Sequence, residues 1–172
     1  MMENLASQLI NTVLEAGFSA AGIAPAKPGA HVKEYLTWLE HYHHAEQSYL
    51  ARDDYVARRQ NLSLILPGVK SILVAAWEYN GVTRHTLVPD RRQGIISCYA
   101  QGEDYHTLIA RKLHKIVDDF RHTNDIDLQA RVYVDTGPVM ERDHAVQAGL
   151  GFIGKNCNLI VPSGGSYVFL GV

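Results

Sequence analysis

Two stretches concentrate the side chains able to do chemistry: Asp135-Thr136-Gly137-Pro138-Val139-Met140-Glu141-Arg142 and Gly149-Leu150-Gly151-Phe152-Ile153-Gly154-Lys155-Asn156. An aspartate placed where a strand gives way to a turn and a helix commonly faces a ligand. The plainer alternative is structural. Pro138 suits the first turn of a helix, which would make Asp135 or Thr136 its N-cap. Gly149, Gly151 and Gly154, followed by Lys155, suit close approach of the backbone to a bulky or anionic ligand. Their spacing is that of neither a Walker loop nor a dinucleotide fingerprint.

Other clusters carry less. His41, His43 and His44 do not share one i, i+4 face of a helix, so they read as a solvated surface rather than a metal site. Cys98 and Cys157 are the only cysteines, too few for an iron–sulfur cluster. Without an evident base beside it, Cys157 reads as a small buried residue. Arg58, Arg59, Arg91, Arg92 and Lys155 are candidates for a local patch on a nucleic-acid backbone, although Arg91-Arg92 reads first as a solvated loop. A formal charge of −2 excludes a global basic field.

These side chains need a scaffold. A chain of 172 residues, 47% hydrophobic and 20% charged, has the size and balance of one soluble globular domain, 1–172. No apolar run reaches the ~18 residues of a membrane span. Met1-Met2-Glu3-Asn4 lacks the basic start and apolar run of a signal peptide, so a cytoplasmic protein is expected. Asn4 is a cap for a helix through Leu5, Leu9 and Val13, closed by Gly17. Helices are also expected over Val32–Glu46, Glu103–His122 and Val139–Gln147, the second with Tyr105, Ile109, Leu113, Ile116, Val117 and Phe120 inward. Strands are expected at Phe18–Ala24, Ser71–Trp77, Leu128–Val134, Asn158–Val161 and Tyr167–Gly171, joined in one sheet with Glu103–His122 packed across it. The fold class is α+β, an α/β sandwich. Asn80–Gln101 is irregular. Tyr167–Gly171 should be sheet interior with only Val172 after it, which suggests a larger protein cut short.

Three segments in order carry a resemblance. Asp135 to Arg142 together with Ala148 to Asn156, Tyr99-Ala100-Gln101-Gly102-Glu103-Asp104-Tyr105-His106, and Arg59 ahead of Leu66-Pro67-Gly68-Val69-Lys70-Ser71 strongly resemble the signature of the epoxyqueuosine reductases. The resemblance implies a nitroreductase-like, cobalamin-reductase-like sheet flanked by helices, the N-terminal cobalamin-binding part of a larger enzyme. That family reduces epoxyqueuosine in tRNA to queuosine with cobalamin and two [4Fe–4S] clusters. The clusters belong to a ferredoxin-like C-terminal part absent here, and the chain stops before the first such cysteine run.

The resemblance implies that Asp135 donates a proton beside the cobalt. It implies cofactor contacts at Arg59, Tyr99, Asp135, Arg142, Lys155, Asn156 and Leu159, whose donors suit the amide-rich rim of a corrin. His106 is assigned a structural or substrate-side role near Tyr105, not a cobalt ligand. The expected partner is tRNA carrying epoxyqueuosine, with no membrane. The isolated chain should be an incomplete enzyme, with an open corrin site, weak cobalamin retention and a tendency to form a homodimer. The alternative is a truncated or diverged module that holds a corrinoid or flavin without reducing anything.

Overall fold

The computed structural model describes residues 5–79, 94, 96–162 and 164–172. In chain order the elements are α1 (Leu5–Glu15), β1 (Ala20–Pro25), α2 (Val32–Glu40), α3 (Asp53–Gln60), β2 (Ser71–Glu78), α4 (Tyr105–Asn124), α5 (Glu141–Gln147), β3 (Phe152–Ile153), β4 (Leu159–Ile160) and β5 (Val168–Gly171). Short 3-10 turns occupy Ser48–Ala51, Leu62–Leu64 and Cys98–Ala100.

The organising strand is β2. It pairs antiparallel with β1 on one side, Ala21 opposite Ala75, and with β5 on the other, Ala75 opposite Gly171. Side chains alternate across a strand, so Val74 and Ala76 enter one face and Ala75 the other, and all three are fully buried. On the Ala75 face, Val13 of α1 and Ile109, Leu113 and Ile116 of α4 close the core with Phe18 and Val134. On the opposite face, Ala145 of α5 packs with Leu150, Leu159 and Val161. Burial on both faces is why Ser71–Trp77 reads as a continuous apolar run even in an antiparallel sheet.

The α+β class stands, and the single five-stranded sheet does not. The main sheet has three strands in the order β1-β2-β5, and β3 and β4 form a separate hairpin. Leu128–Val134 is not a strand. Only Tyr133 finds a ladder partner there, exchanging backbone hydrogen bonds of 2.8 and 3.0 Å with Val172. The expected strand Asn158–Val161 is diverted into the hairpin by a tight turn. The Cys157 N–H donates to the Gly154 carbonyl at 3.0 Å, and Cys157 itself takes φ 61°.

Helix ends also move. α2 stops at Glu40, not Glu46, because Tyr42 and Ala45 adopt left-handed backbone, φ 55° and 48°. α4 begins at Tyr105, where Asp104 caps it by accepting the His106 N–H at 3.0 Å, and ends at Asp125 in left-handed conformation. Most of the expected loop, residues 80–93, and with it Arg91 and Arg92, lies outside the described residues. Among the described residues no helix is long and apolar enough to cross a membrane.

One ion pair ties the loop before α2 to α5. The buried Asp143 carboxylate accepts the His31 N–H at 2.9 Å and meets His31 Nδ1 at 2.7 Å, the His31 side chain being 57% exposed. The hydrogen bond to Asp143, and then its charge, raise the His31 ring above its ordinary value of 6.5. A value raised on folding adds stability that is complete below 6.5 and is lost as pH rises through the folded value. Thermal melts of the wild type and His31→Asn should therefore differ most near pH ~6 and converge by pH ~9. A gap independent of pH would show that protonation of His31 is not linked to folding.

Candidate functional site

Asp135 follows the Tyr133–Val172 pairing and takes φ 61°, a left-handed conformation that costs an ordinary residue ~1–2 kcal/mol but that Asp tolerates better than most. It does not cap α5. That helix starts at Glu141, with Met140 at the cap position and no side-chain cap. The capping alternative is thereby removed, and the Asp135 side chain, 65% exposed, turns to α4 instead.

There the Tyr105 hydroxyl donates to Asp135 Oδ2 at 3.0 Å, and His106 Nε2 lies 3.5 Å from the same oxygen. His106 Nδ1 is 2.7 Å from Asp104 Oδ1, so the proton placed by that contact is on Nδ1 and Nε2 faces Asp135. The His106 hydrogen bonds hold Asp104 below the usual carboxylate range. Burial, and then the hydrogen bond to Asp135, push the Tyr105 phenol well above its ordinary value, so it remains a donor. Stacking fixes these rings. His106 lies 4.0 Å from the Tyr105 ring, Tyr105 stacks on Phe169 of β5 at 3.9 Å and 5°, and Phe169 on Tyr79 at 4.3 Å. Sequence reasoning read Tyr105 as a core residue and missed its hydroxyl. The signal was its place in the Asp104-Tyr105-His106 segment.

Arg59 of α3 donates to the Tyr35 hydroxyl at 2.7 Å, with its guanidinium 4.8 Å above that ring. Neighbouring Tyr55 donates to the Thr136 carbonyl at 3.3 Å, which brings α3 against the Asp135 turn. Tyr99 is exposed and close enough to act electrostatically on both Tyr79 and Tyr105.

Arg142, the second residue of α5, donates from Nη1 to the Cys157 carbonyl at the hairpin turn. Lys155 and Asn156 stand exposed on that turn, and Asn156 Oδ1 accepts the Asn158 N–H at 3.2 Å. Leu159 differs from the rest. Its side chain is in the core, 3% exposed, leaving only its backbone for a ligand. The Asp135 turn thus has α3 against it through Tyr55 and α4 through Tyr105, while Arg142 reaches the hairpin turn that carries Lys155 and Asn156.

Two expectations are corrected. Gly151 and Gly154 serve the fold rather than ligand approach. A Cβ on Gly151 would lie 2.0 Å from the Ile160 carbonyl oxygen, and one on Gly154 would lie 2.6 Å from the Ile160 side chain. Cys157 is exposed, not buried, because its left-handed turn sits at the hairpin tip. Of the supposed basic patch, Arg58 is 3.4 Å from Asp54 and Arg59 is held by Tyr35.

Residues 59–136 match the family described as epoxyqueuosine reductase QueG, DUF1730. An epoxyqueuosine reductase of Synechocystis sp. is 37% identical over 153 residues, 87% of this chain and 50% of the relative. This chain belongs with the N-terminal half of the epoxyqueuosine reductases. It spans about half the length of the curated relatives it matches. An epoxyqueuosine reductase solved with an epoxyqueuosine-modified tRNA-Tyr stem loop superposes with TM-score 0.83 at 29% identity, over 97% of this chain and 44% of that one. Another, from Bacillus subtilis, has its catalytic aspartate loop swung out of the active site, with TM-score 0.78, 28% identity and coverage of 97% and 44%.

Proposed function

We propose that this chain is the corrin-binding domain of a cobalamin-dependent reductase that converts epoxyqueuosine in tRNA to queuosine, in the cytoplasm. The observation that carries the reading is the exposed Asp135 carboxyl on a left-handed turn, with Tyr105 and His106 against it. It is supported by relatives named for that reaction, one of them bearing a catalytic aspartate on a movable loop.

The donor set suits cobalamin. Arg142, Lys155 and Asn156 offer N–H groups to the amides of a corrin rim, and Phe152, 58% exposed on the same hairpin, offers an apolar face. Arg59 and Tyr99 would hold the side nearer Asp135, and Leu159 would contribute backbone. When bound, reduced cobalt would supply the electrons and the nucleophile. Removing the epoxide oxygen as water takes two electrons and two protons, and Asp135 would give a proton to that oxygen. Tyr105 orients the carboxyl, Asp104 holds His106 with its Nε2 toward Asp135, and the exposed carboxyl would regain its proton from solvent. The [4Fe–4S] clusters would be supplied from outside these 172 residues, as would much of the tRNA surface.

Sedimentation velocity with added cobalamin, followed in the corrin absorption band, reads binding and mass together. Sub-stoichiometric corrin comigrating with the chain is expected, together with self-association through exposed Ile96, Tyr99 and Phe152. A clean monomer saturated with cobalamin would overturn the view that this half leaves the site open. Absence of any corrin comigration at high cobalamin, with flavin bound instead, would favour a flavin module.

A further inference from the structure

The main sheet leaves a gap one strand wide, in line with β5. β1 pairs with β2 as far as Ser71, whereas β5 pairs with it only from Ala75 to Glu78. On the far side of β5, Tyr133 exchanges hydrogen bonds with Val172, and the backbone of residues 129–132 before it has no partner among the described residues. The Ala26 N–H donates to the Lys70 carbonyl and the Tyr79 N–H to the Tyr167 carbonyl, each at 3.0 Å. Even-numbered residues of β2 therefore turn their backbone to β1 and odd-numbered ones to the side of β5. By that alternation the Ser71 and Leu73 backbones point into the gap from one side. The Arg131 backbone, two residues from Tyr133, points into it from the other.

The gap is a groove of about 450 Å³ with apolar walls. Leu9, Leu73, Leu113 and Val132 line it from the Ala75 face of the sheet, Ile72 and Val172 from the opposite face. Continuing the β2–β5 register sets the first residue of an inserted strand opposite Leu73, the second opposite Ile72 and the third opposite Ser71. Continuing the Tyr133–Val172 pairing sets that same second residue opposite Arg131. The two registers agree. Side chains alternate, so the first would enter beside Leu73 and Leu113 and the second beside Ile72. The groove thus fits an extended segment that is apolar on both faces, as β2 is.

We propose that this groove is the docking site for an extended strand of the C-terminal half, which runs on in the line of β5 and pairs with Ser71 and Leu73 on one side and with Arg131 on the other. The curated relatives carry about as much chain again as this one, and so have such a segment to supply. A second copy of this chain is a poorer occupant, because each of its described strands is already paired within its own sheets. Main-chain bonds would supply the affinity, and the apolar walls the choice of side chains. The docked strand would also tie down the stretch that leads into Asp135, which in this chain is held to the sheet through Tyr133 alone. The C-terminal half would thereby steady the Asp135 turn without touching it.

The test is hydrogen exchange of the Leu73 and Arg131 amides, followed by NMR without cobalamin or tRNA. It compares the ¹⁵N-labelled 172-residue chain with the same labelled chain ligated to the unlabelled C-terminal half of the Synechocystis relative. Ligation should slow both amides by ~10²-fold or more. The Ala26 amide, already bonded to Lys70, should exchange alike throughout and reports an intact sheet. In the ligated protein Val117→Asp, which sets a carboxylate on the α4 wall of the groove, should return both amides toward their rates in the 172-residue chain. Should that variant not fold, Arg131→Pro decides: it removes an N–H that has no partner in this chain, and should return the Leu73 amide. Equal exchange with and without the C-terminal half would overturn the proposal, as would protection that survives these variants. Protection in the 172-residue chain alone that rises with its concentration would overturn it in favour of a second copy. No cofactor or turnover enters the measurement, so it can fail while the reading of Asp135 stands.

Discussion

Asp135→Asn is expected to lower epoxyqueuosine reduction by ~10²-fold or more, about 2.7 kcal/mol of transition-state stabilisation, while cobalamin affinity changes little. The substitution isolates the proton. Asparagine has the same shape and keeps an oxygen for the Tyr105 hydroxyl, which sits 3.0 Å from Asp135. Like aspartate, it tolerates the left-handed φ of 61° found there, so the turn should persist. What is lost is the ability to give a proton to the departing oxygen. The assay is single-turnover reduction of an epoxyqueuosine-containing stem loop, in a chimera joining this chain to the C-terminal half of the Synechocystis relative. Near-normal turnover would falsify the acid role and leave Asp135 as an anchor for Tyr105. A loss matched by lost cobalamin binding would make it a cofactor contact instead.

The largest expected effect on stability is at Ile109. It is fully exposed to the core and not at all to solvent, packed against Gly171 of β5, where even a Cβ on the glycine would lie 2.9 Å from it. Ile109→Ala removes three carbons from a site closed on all sides by α1, β2 and α4, so collapse around the cavity is limited. A cost of ~2–5 kcal/mol follows. For a chain of this size it corresponds to a melting point lower by on the order of 10 °C. Leu64→Ala, 56% exposed in its native position, should change stability by less than ~0.5 kcal/mol and serves as the control. Equal shifts in the two variants would mean that α4 is not the seal of this core.

What the sequence made legible is what local pattern encodes. β2 announced itself because both faces are buried, and α4 because its inward stripe of Ile109, Leu113, Ile116 and Phe120 repeats at helical spacing. Leu128–Val134 misled for the same reason. Leu128, Ala130, Val132 and Val134 alternate with polar residues as a strand would, but a strand also needs a ladder partner, and only Tyr133 has one. Tyr42 and Ala45 ended α2 through left-handed backbone that neither residue type signals.

At the site, Asp135 was found through the resemblance of its motif. Its partner Tyr105 was read as core because one side chain does both jobs, with its ring on Phe169 and its hydroxyl on Asp135.

The ring column from Tyr79 through Phe169 and Tyr105 to His106 also sets a timetable. Phe169 is the middle layer, and Tyr133, two residues before Asp135, is tied to Val172. A ribosome delivers residues in order, so α4 and the Asp135 loop emerge tens of residues before the strand that holds Tyr105 in place. Until that strand leaves the exit tunnel, Tyr105 lacks its Phe169 stacking surface and Asp135 a fully fixed donor. The nascent chain therefore carries a half-assembled pocket over the stretch from Asp135 to Val168, and the pocket is completed from its C-terminal side by β5.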